Sequence, residues 1–351
     1  MACILALLFV SSQYCVAANA ERVELLAKCD GPRQAVDRVV ACTSLLELDK
    51  ASPKDMAFDY FFRGLAQADL KKLEVSIDDL NNSIRFNPGF WPSRWARANL
   101  TAYQRHYEEA AKDWTIVIQF QPTLSAPHSQ LSNNWYNLSK FDESLIELNK
   151  AIEMAEPKVQ LSLYYADRGL IYEGLRAWDK AILDYSESIR RDEKSYNPYY
   201  GRGRVEFLQG NMDAAIADFS KADSLNPSNL YPLLWLVMAQ ARRNPESLST
   251  LRQQLATRNL TEWPGPIFKI LLGDSVQESE PTPPFPRYWS EAERKAGAQC
   301  EMYFYRAELA LARKQNALAS SLFHAAVDNG IEEYLEYQAA NSELIRIGEH
   351  K

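Results

Sequence analysis

The stretch YNPYYGRGRVEFLQGNMDAAIADFSKADSLNP, residues 196–227, decides the fold predicted for this chain. It contains two helix-forming segments, which Gly210 and Asn211 separate, and Pro227 ends the second segment. Apolar residues of the second segment lie three or four positions apart and therefore share one helical stripe: Ala215, Phe219 and Ala222. Such a stripe has to pack on another helix. The stretch therefore predicts a helical hairpin that packs on neighbouring copies of itself.

The same pattern recurs along the chain with a period of about 34 residues, and a short insertion precedes the fourth copy. The predicted copies occupy residues 56–89, 90–123, 124–160, 161–194 and 195–228. The period, the alternation of small and large residues and the closing proline resemble the tetratricopeptide repeat, or TPR. The resemblance implies an all-α fold, a TPR superhelical solenoid of helix-turn-helix repeats in which each repeat packs on its neighbours.

Four copies carry an arginine in the first segment and an aspartate in the second, always at the same spacing: Arg63 and Asp79, Arg97 and Asp113, Arg168 and Asp184, Arg202 and Asp218. This spacing reaches the facing helix of the same hairpin, so we predict ion pairs that join the two helices of a repeat. The third copy has Leu131 and Glu147 at these positions. The alternative is that the arginines form a ladder of basic contacts to a ligand.

Composition and the first residues indicate the compartment. The net charge of −7 argues against a nucleic-acid partner, because there is no excess of Lys and Arg to neutralise phosphates. Residues 1–20 have a short apolar core and end in a small-x-small triplet, which predicts a signal peptide that is cleaved before Glu21. The residues before Cys15 do not fit a lipid-attachment site, so lipid anchoring is not expected. No later segment is apolar for long enough to span a bilayer.

The cysteine pattern changes with export. Cleavage after residue 20 removes Cys3 and Cys15, and it leaves Cys29, Cys42 and Cys300. In an oxidising compartment, Cys29 and Cys42 are predicted to form a disulfide, and Cys300 is predicted to stay unpaired. The alternative for the first pair is a buried free thiol at a small-residue position.

The segments that flank the five copies depart from the repeat rule. Residues 21–50 are interpreted as an N-terminal strap and a capping helix, which shields the end of the array. Residues 229–274 are predicted to form a degenerate repeat with a Trp-Pro-Gly-Pro turn. Residues 275–289 are predicted to form a Pro-rich exposed loop. Residues 290–351 are predicted to form a TPR-like hairpin and a terminal helix.

Two blocks of the C-terminal third resemble the NlpI-type family of bacterial envelope lipoproteins: EWPGPIFKILLG, residues 262–273, and CEMYFYRAELALARKQNALASSLFHAAVDNGIEEYLEYQAANSEL, residues 300–344. The resemblance implies a periplasmic TPR adaptor that brings a processing protease together with cell-wall hydrolases. It also implies a homodimer. An apolar face of the terminal helix supports a dimer unless the helix folds back as a cap: Ile331, Tyr334, Leu335, Leu344 and Ile345.

The sequence shows no motif for catalysis. The histidines have no metal-ligand spacing, and no phosphate-binding loop or nucleophile elbow is present, so we predict no metal, no cofactor and no enzymatic activity. The favoured function is a scaffold that binds proteins or peptides. The alternatives are a structural component of an envelope secretion or polysaccharide-export complex, and an enzyme with an unrecognised site.

By the TPR pattern, the first helices of three copies line a concave groove that takes a partner: Trp95, Asn99 and Tyr103, then Asn133, Tyr136 and Asn137, then Tyr200, Arg204 and Phe207. Asn99 and Asn133 occupy the same repeat position, and their amides can bond to the backbone of an extended peptide. Lysines suited to a free C-terminus are missing beside them. The alternative is that the aromatic residues belong to the core between repeats and the asparagines only contact solvent.

Overall fold

The computed structural model describes residues 20–31, 34–48, 51–155, 158–256, 258–261, 263–272, 290–329 and 335–349, and it confirms the all-α prediction. All regular elements among these residues are helices. The predicted signal peptide, except for Ala20, and the Pro-rich loop lie outside the described residues. No helix in the described ranges is both long enough and apolar enough to cross a membrane.

The helices group into two compact units that divide between Leu138 and Ser139. Unit 1 contains seven described helices: α1 (Ala20–Cys29), α2 (Ala35–Glu47), α3 (Pro53–Asp69), α4 (Leu73–Phe86), α5 (Trp91–Tyr103), α6 (Tyr107–Phe120) and α7 (Ser125–Asn137). Consecutive helices pack on each other from α1 through α7. This sequential packing is the arrangement that a repeat array requires.

Unit 2 contains the remaining described helices: α8 (Phe141–Met154), α9 (Lys158–Gly174), α10 (Trp178–Arg191), α11 (Asn197–Leu208), α12 (Met212–Leu225), α13 (Leu230–Arg243), a 3-10 helix (Pro245–Thr250), α14 (Leu251–Leu255), α15 (Gly265–Leu271), α16 (Glu291–Ala312), α17 (Asn316–Asn329) and α18 (Leu335–Arg346). The degenerate repeat pairs α13 with the 3-10 helix, on which the short helix α14 packs, rather than with a full second helix.

The turn inside at least four of the described hairpins uses one residue with left-handed backbone. The φ angle is 61° at Lys71, 64° at Arg105, 55° at Arg176 and 86° at Gly210. The next N–H then donates to the carbonyl oxygen five residues earlier, as Asn211 does to Glu206 at 2.8 Å. This hydrogen bond satisfies a carbonyl group in the last turn of the first helix. Only glycine adopts the left-handed backbone without a steric cost at Cβ. The Gly-Asn pair therefore marks a turn that the other hairpins form with less favourable residues.

Close packing inside the hairpins explains two further glycines. A Cβ atom on Gly203 would lie 2.8 Å from the ring of Phe219, and one on Gly169 would lie 2.9 Å from the ring of Tyr185. In both hairpins, the aromatic ring of the second helix fills the space that a side chain would occupy. A small residue facing a large one thus sets how closely the two helices approach.

The residues interpreted as an N-terminal strap are helical and form α1, which packs on α2 and α3. A disulfide joins Cys29 at the end of α1 to Cys42 in α2, with a Cα–Cα distance of 4.9 Å. Both cysteines and Leu45 are fully buried in a small apolar cluster. The bridge therefore fixes the first helix pair of unit 1.

The core of unit 2 is built around α13, which is buried on almost every side. Trp235 is fully buried at its centre, and its ring centroid lies 5.3 Å from those of Phe207 and Phe304 and 5.9 Å from that of Phe219. These rings come from α11, α12 and α16, so one apolar cluster continues from the fifth repeat into the C-terminal hairpin. The free thiol of Cys300 is buried in the same cluster.

The last described helix folds back onto the chain. Helix α18 packs on α16, α17 and α11, and Leu344 is buried while Ile345 stays 39% exposed. Leu344 is therefore covered within its own unit, as the alternative of a helix folded back as a cap expected. Ile331 and Tyr334 lie outside the described residues.

Candidate protein-binding surface

Four arginine-aspartate pairs connect the two helices of their hairpins. In each pair, Nε and Nη2 donate to the two carboxylate oxygens at N···O distances of 2.6 to 2.9 Å: Arg63 and Asp79, Arg97 and Asp113, Arg168 and Asp184, Arg202 and Asp218. The aspartates are buried, and the hydrogen bonds that the arginines donate to Asp79, Asp184 and Asp218 raise the pKa of those arginines. This bidentate geometry fixes the register of the hairpin.

The same arginines also reach the preceding helix. Nη1 of Arg168 donates to Asn149 on α8 at 2.8 Å, and Nη1 of Arg202 donates to Ser186 on α10 at 2.8 Å. In unit 1, Nη1 of Arg97 donates to Asn81 on α4. Each of these guanidinium groups thus joins three helices, and each of its three nitrogens donates a hydrogen bond within the chain. These contacts favour the structural interpretation of the arginines over a ladder of ligand contacts.

In unit 1, the predicted groove residues of α5 combine an apolar base with an accessible polar edge. The Trp95 ring packs against Trp114 with centroids 5.0 Å apart, so Trp95 is partly buried in the core of the repeat. Asn99, one turn further along α5, is exposed, and Tyr103 is 54% exposed. Asn99 and Tyr103 are therefore accessible to a partner, whereas Trp95 mainly supports them.

The asparagine side chains are oriented by their own helices. Nδ2 of Asn99 donates to the carbonyl oxygen of Trp95 at 2.9 Å, and Nδ2 of Asn137 donates to that of Asn133 at 2.7 Å. Each amide keeps its oxygen and a second N–H for another partner. Asn133, Tyr136 and Asn137 on α7 are half-buried. Unit 1 therefore presents amide and phenol groups that can exchange hydrogen bonds with a peptide backbone.

In unit 2, two of the three predicted groove residues offer no accessible surface. Phe207 is 1% exposed because it packs on Trp235, and Arg204 is 4% exposed because it pairs with Glu173 of α9. Tyr200 is partly buried, and the guanidinium of Arg204 lies 4.6 Å from the centre of its ring. The expectation of a peptide-lining role for Arg204 and Phe207 is therefore wrong.

The element that covers this part of unit 2 is α18. The hydroxyl of Tyr305 on α16 donates to Glu336 of α18 at 2.9 Å, and both groups are buried. Arg242 of α13 lies 2.6 Å from Glu308 of α16 and 3.5 Å from Glu343 of α18. Helix α18 thus lies against the helices whose equivalents in unit 1 carry the open groove positions.

Buried carboxylates form a polar seam beneath α18. Glu301 accepts hydrogen bonds from Nε1 of Trp263 at 2.8 Å and from the hydroxyl of Tyr231 at 3.1 Å. Burial and the nearby charge of Glu336 raise the pKa of Glu301 well above its usual value. Burial and the charge of Glu343 raise the pKa of Glu308 to about 8, although Arg242 opposes that shift. The seam can therefore hold protons at neutral pH.

Five buried acids were not predicted from the sequence: Glu173, Glu301, Glu308, Glu336 and Glu343. A signal was present, because Glu301 and Glu308 are seven residues apart on the stripe of α16 that also carries Phe304. An acid inside an apolar helical stripe is buried only where a partner compensates it. Within the described ranges, no three His, Cys, Asp or Glu side chains are grouped so as to hold a metal ion.

Comparison with protein families identifies a repeat in the stretch that begins at Tyr196. The model of the family described as tetratricopeptide repeat matches residues 196–229. The chain is 21% identical over 224 residues to tetratricopeptide repeat protein 16 of Homo sapiens, covering 58% of this chain and 26% of that protein. It is 25% identical over 232 residues to Hsp70-Hsp90 organizing protein 1 of Glycine max, covering 63% of this chain and 37% of that protein. The chain spans well under half the length of these relatives.

A solved structure extends the likeness to most of the chain. A tetratricopeptide repeat protein from Parabacteroides merdae superposes with a TM-score of 0.56 at 16% identity, covering 82% of this chain and 99% of that one. At this identity, the likeness concerns the fold alone. The chain therefore contains a tetratricopeptide repeat at residues 196–229 and shares the fold of a tetratricopeptide repeat protein.

Proposed function

We propose that the chain is a non-enzymatic scaffold that binds a peptide segment of a partner protein across α5 and α7 of unit 1. The observation that carries this proposal is the accessible edge formed by Asn99 and Tyr103, backed by the half-buried Asn133 and Tyr136. Arrays of this fold present the first helices of their repeats as binding surfaces. Phenol and amide groups supply contact area and hydrogen bonds at a small cost in side-chain entropy.

The proposed setting is the bacterial periplasm, where the scaffold brings a processing protease to cell-wall hydrolases. The disulfide between Cys29 and Cys42 supports an oxidising compartment, because such bonds persist mainly in exported proteins. The adaptor role rests on the resemblance of residues 262–273 and 300–344 to the NlpI-type family.

The test is partner capture by the full chain from a bacterial envelope extract. The double variant Asn99→Ala and Asn133→Ala removes two amides but no core contact. If the groove binds the partner backbone, we expect affinity for the captured proteins to fall by about 1 to 3 kcal/mol, the cost of unpairing buried hydrogen bonds. Quantitative proteomics of the captured proteins measures the loss, and circular dichroism checks the helicity.

The matched control is Gln119→Ala, which removes an exposed amide from α6 of the same unit. This variant is expected to capture the same proteins as the unchanged chain. Equal capture by the double variant, with unchanged helicity, would place the binding surface elsewhere. Recovery of a protease together with a cell-wall hydrolase supports the adaptor role, and recovery of secretion components only would contradict it.

A further inference from the structure

Equivalent repeat positions are open in unit 1 and covered in unit 2. Asn99 is exposed on α5, whereas its counterpart region on α11, around Arg204, is buried under α18. The buried residues of α18 lie on one helical face: Glu336, Ala339, Ala340, Glu343 and Leu344. Unit 2 therefore already holds a helix at the place where a TPR array receives a partner.

The contacts of α18 have a specific chemical pattern. Two carboxylates seven residues apart face the groove: Glu336 accepts a hydrogen bond from the hydroxyl of Tyr305 at 2.9 Å, and Glu343, which also accepts from Arg346 of α18, lies 3.5 Å from Arg242. Ala339 and Ala340 lie between them and are almost completely buried. Small residues at these positions allow the helix backbone to approach the groove closely.

The groove stays electrostatically compensated without α18. Arg242 keeps its 2.6 Å contact with Glu308 of α16, and Arg204 keeps its two hydrogen bonds to Glu173 of α9. Without α18, the charge of Glu343 no longer raises the pKa of Glu308, so Glu308 can ionise beside Arg242. Loss of α18 thus strands neither of these buried guanidinium groups. This balance distinguishes α18 from a core helix, whose removal would leave buried charges unpaired.

Helix α18 also fills its groove incompletely. A cavity of about 310 Å³ lies beside it, between Ala339 and Ser342 on one side and Glu173 and Trp178 on the other. A helix with a larger apolar side chain at the Ser342 position would bury more surface there than α18 does. The cavity therefore leaves room for a larger side chain than that of Ser342.

We propose that the surface beneath α18 is a binding site for a partner helix that carries two carboxylates seven residues apart with small residues between them, and that α18 occupies this site until such a helix displaces it. This inference deepens the proposed scaffold function by assigning a second site with a defined ligand. It concerns unit 2, whereas the capture experiment above tests Asn99 and Asn133 of unit 1. If the experiment on one unit contradicts its proposed site, the proposed site in the other unit is unaffected.

The test uses the full chain and a fluorescent peptide with the sequence of α18, LEYQAANSELIR. The variant Glu336→Ala and Glu343→Ala weakens the in-chain helix but leaves the groove unchanged. If α18 covers the site in nine of ten molecules or more, the peptide is expected to bind this variant at least about ten-fold more tightly than the unchanged chain. The control variant Ile345→Ser alters an exposed position of α18 and is expected to leave the affinity unchanged.

Two peptide variants test the recognition pattern. A peptide with alanine at both acid positions is expected to lose binding, and a peptide with Ser342→Leu is expected to bind several-fold more tightly because its side chain enters the cavity. Amide hydrogen exchange follows the in-chain helix. Excess peptide is expected to speed exchange in residues 335–346 of the unchanged chain but not in α16.

Two results would overturn the proposal. One is a variant whose residues 335–346 exchange freely while the peptide still does not bind. The other is a dimer mass by light scattering for the unchanged chain together with a monomer mass for the acid-to-alanine variant. In that case, α18 would bind a second copy of the chain. If the variant does not fold, hydrogen exchange in the unchanged chain is the deciding measurement. In that case, displacement is contradicted if excess peptide does not speed exchange in residues 335–346.

Discussion

Arg204 on α11 donates to both carboxylate oxygens of Glu173 on α9, through Nε at 3.1 Å and Nη2 at 2.8 Å. Neither side chain is more than 8% exposed, and the hydroxyl of Tyr185 donates to the same carboxylate at 2.9 Å. Each charge is out of water and depends on the other for compensation. This pair joins two repeats of unit 2 at the surface that α18 covers.

Removal of one member of this pair should destabilise unit 2 strongly. Arg204→Met leaves the carboxylate of Glu173 buried without its cation, so we expect a loss of about 3 to 5 kcal/mol in the free energy of unfolding. The double variant Arg204→Met and Glu173→Leu replaces both charges with apolar groups and should regain most of the loss. Urea unfolding followed by circular dichroism measures both.

The matched control for the buried pair is Arg243→Ala. Arg243 contacts Asp213 at 2.6 Å, but the two side chains are 59% and 84% exposed, so the cost should not exceed about 1 kcal/mol. If Arg204→Met and the double variant lose the same stability, the cost comes from lost packing rather than from an unpaired charge.

The arginine forks should depend on guanidinium geometry rather than on charge alone. Arg97→Lys keeps a cation near Asp113 but cannot make the bidentate contact and the bond to Asn81 together. We expect a loss of about 1 to 3 kcal/mol in stability, measured by urea unfolding. Arg85→Lys, at an exposed position of α4, is the control and should be nearly neutral. If Arg97→Lys is as stable as the unchanged chain, the positive charge alone is enough for the contribution of Arg97 to stability.

The disulfide should stabilise the first helices of unit 1. Cys29 and Cys42 are 13 positions apart, and loss of a loop closure of this size costs about 2 to 4 kcal/mol. The double variant Cys29→Ala and Cys42→Ala should therefore unfold at lower urea, and hydrogen exchange should accelerate first in α1 and α2. Reductant should weaken the unchanged chain but not this variant. An intact mass that does not rise by two hydrogens on reduction would contradict the bond.

Unit 2 should lose stability as the pH rises from about 4.5 to about 8. The pKa of Glu308 is raised from 4.5 to about 8 by burial and by Glu343, so the folded state holds a proton that the unfolded chain releases. The stabilisation is complete below pH 4.5 and falls between the two pKa values, by at most about 1.4 kcal/mol per pH unit.

Glu308→Gln should flatten this pH dependence, because the amide is neutral at every pH. Urea unfolding at pH 5, 6.5 and 8 compares this variant with the unchanged chain, and Glu291→Gln, exposed in the first turn of the same helix, is the control. An unchanged slope in Glu308→Gln would assign the pH dependence to other groups.

Much of the candidate binding surface followed from repeat spacing, but its accessibility did not. Spacing placed Trp95, Asn99 and Arg204 on first helices, and each lies there. It could not distinguish Asn99, which faces solvent, from Arg204, which is buried, because accessibility depends on α18, a helix far along the chain. The period describes neighbours in sequence and contains no information about a distant segment that folds back.

The repeat period alone was enough to predict the all-α fold, because a stripe at helical spacing can be buried only by another helix and a short repeat unit only by its neighbours. The constant spacing between each arginine and its aspartate likewise predicted that they lie on facing helices of one hairpin. The placement of α18 against α11, α13 and α16 required the three-dimensional arrangement. Its buried acids, Glu336 and Glu343, resemble ordinary solvated helix residues until Tyr305 and Arg242 are brought to meet them.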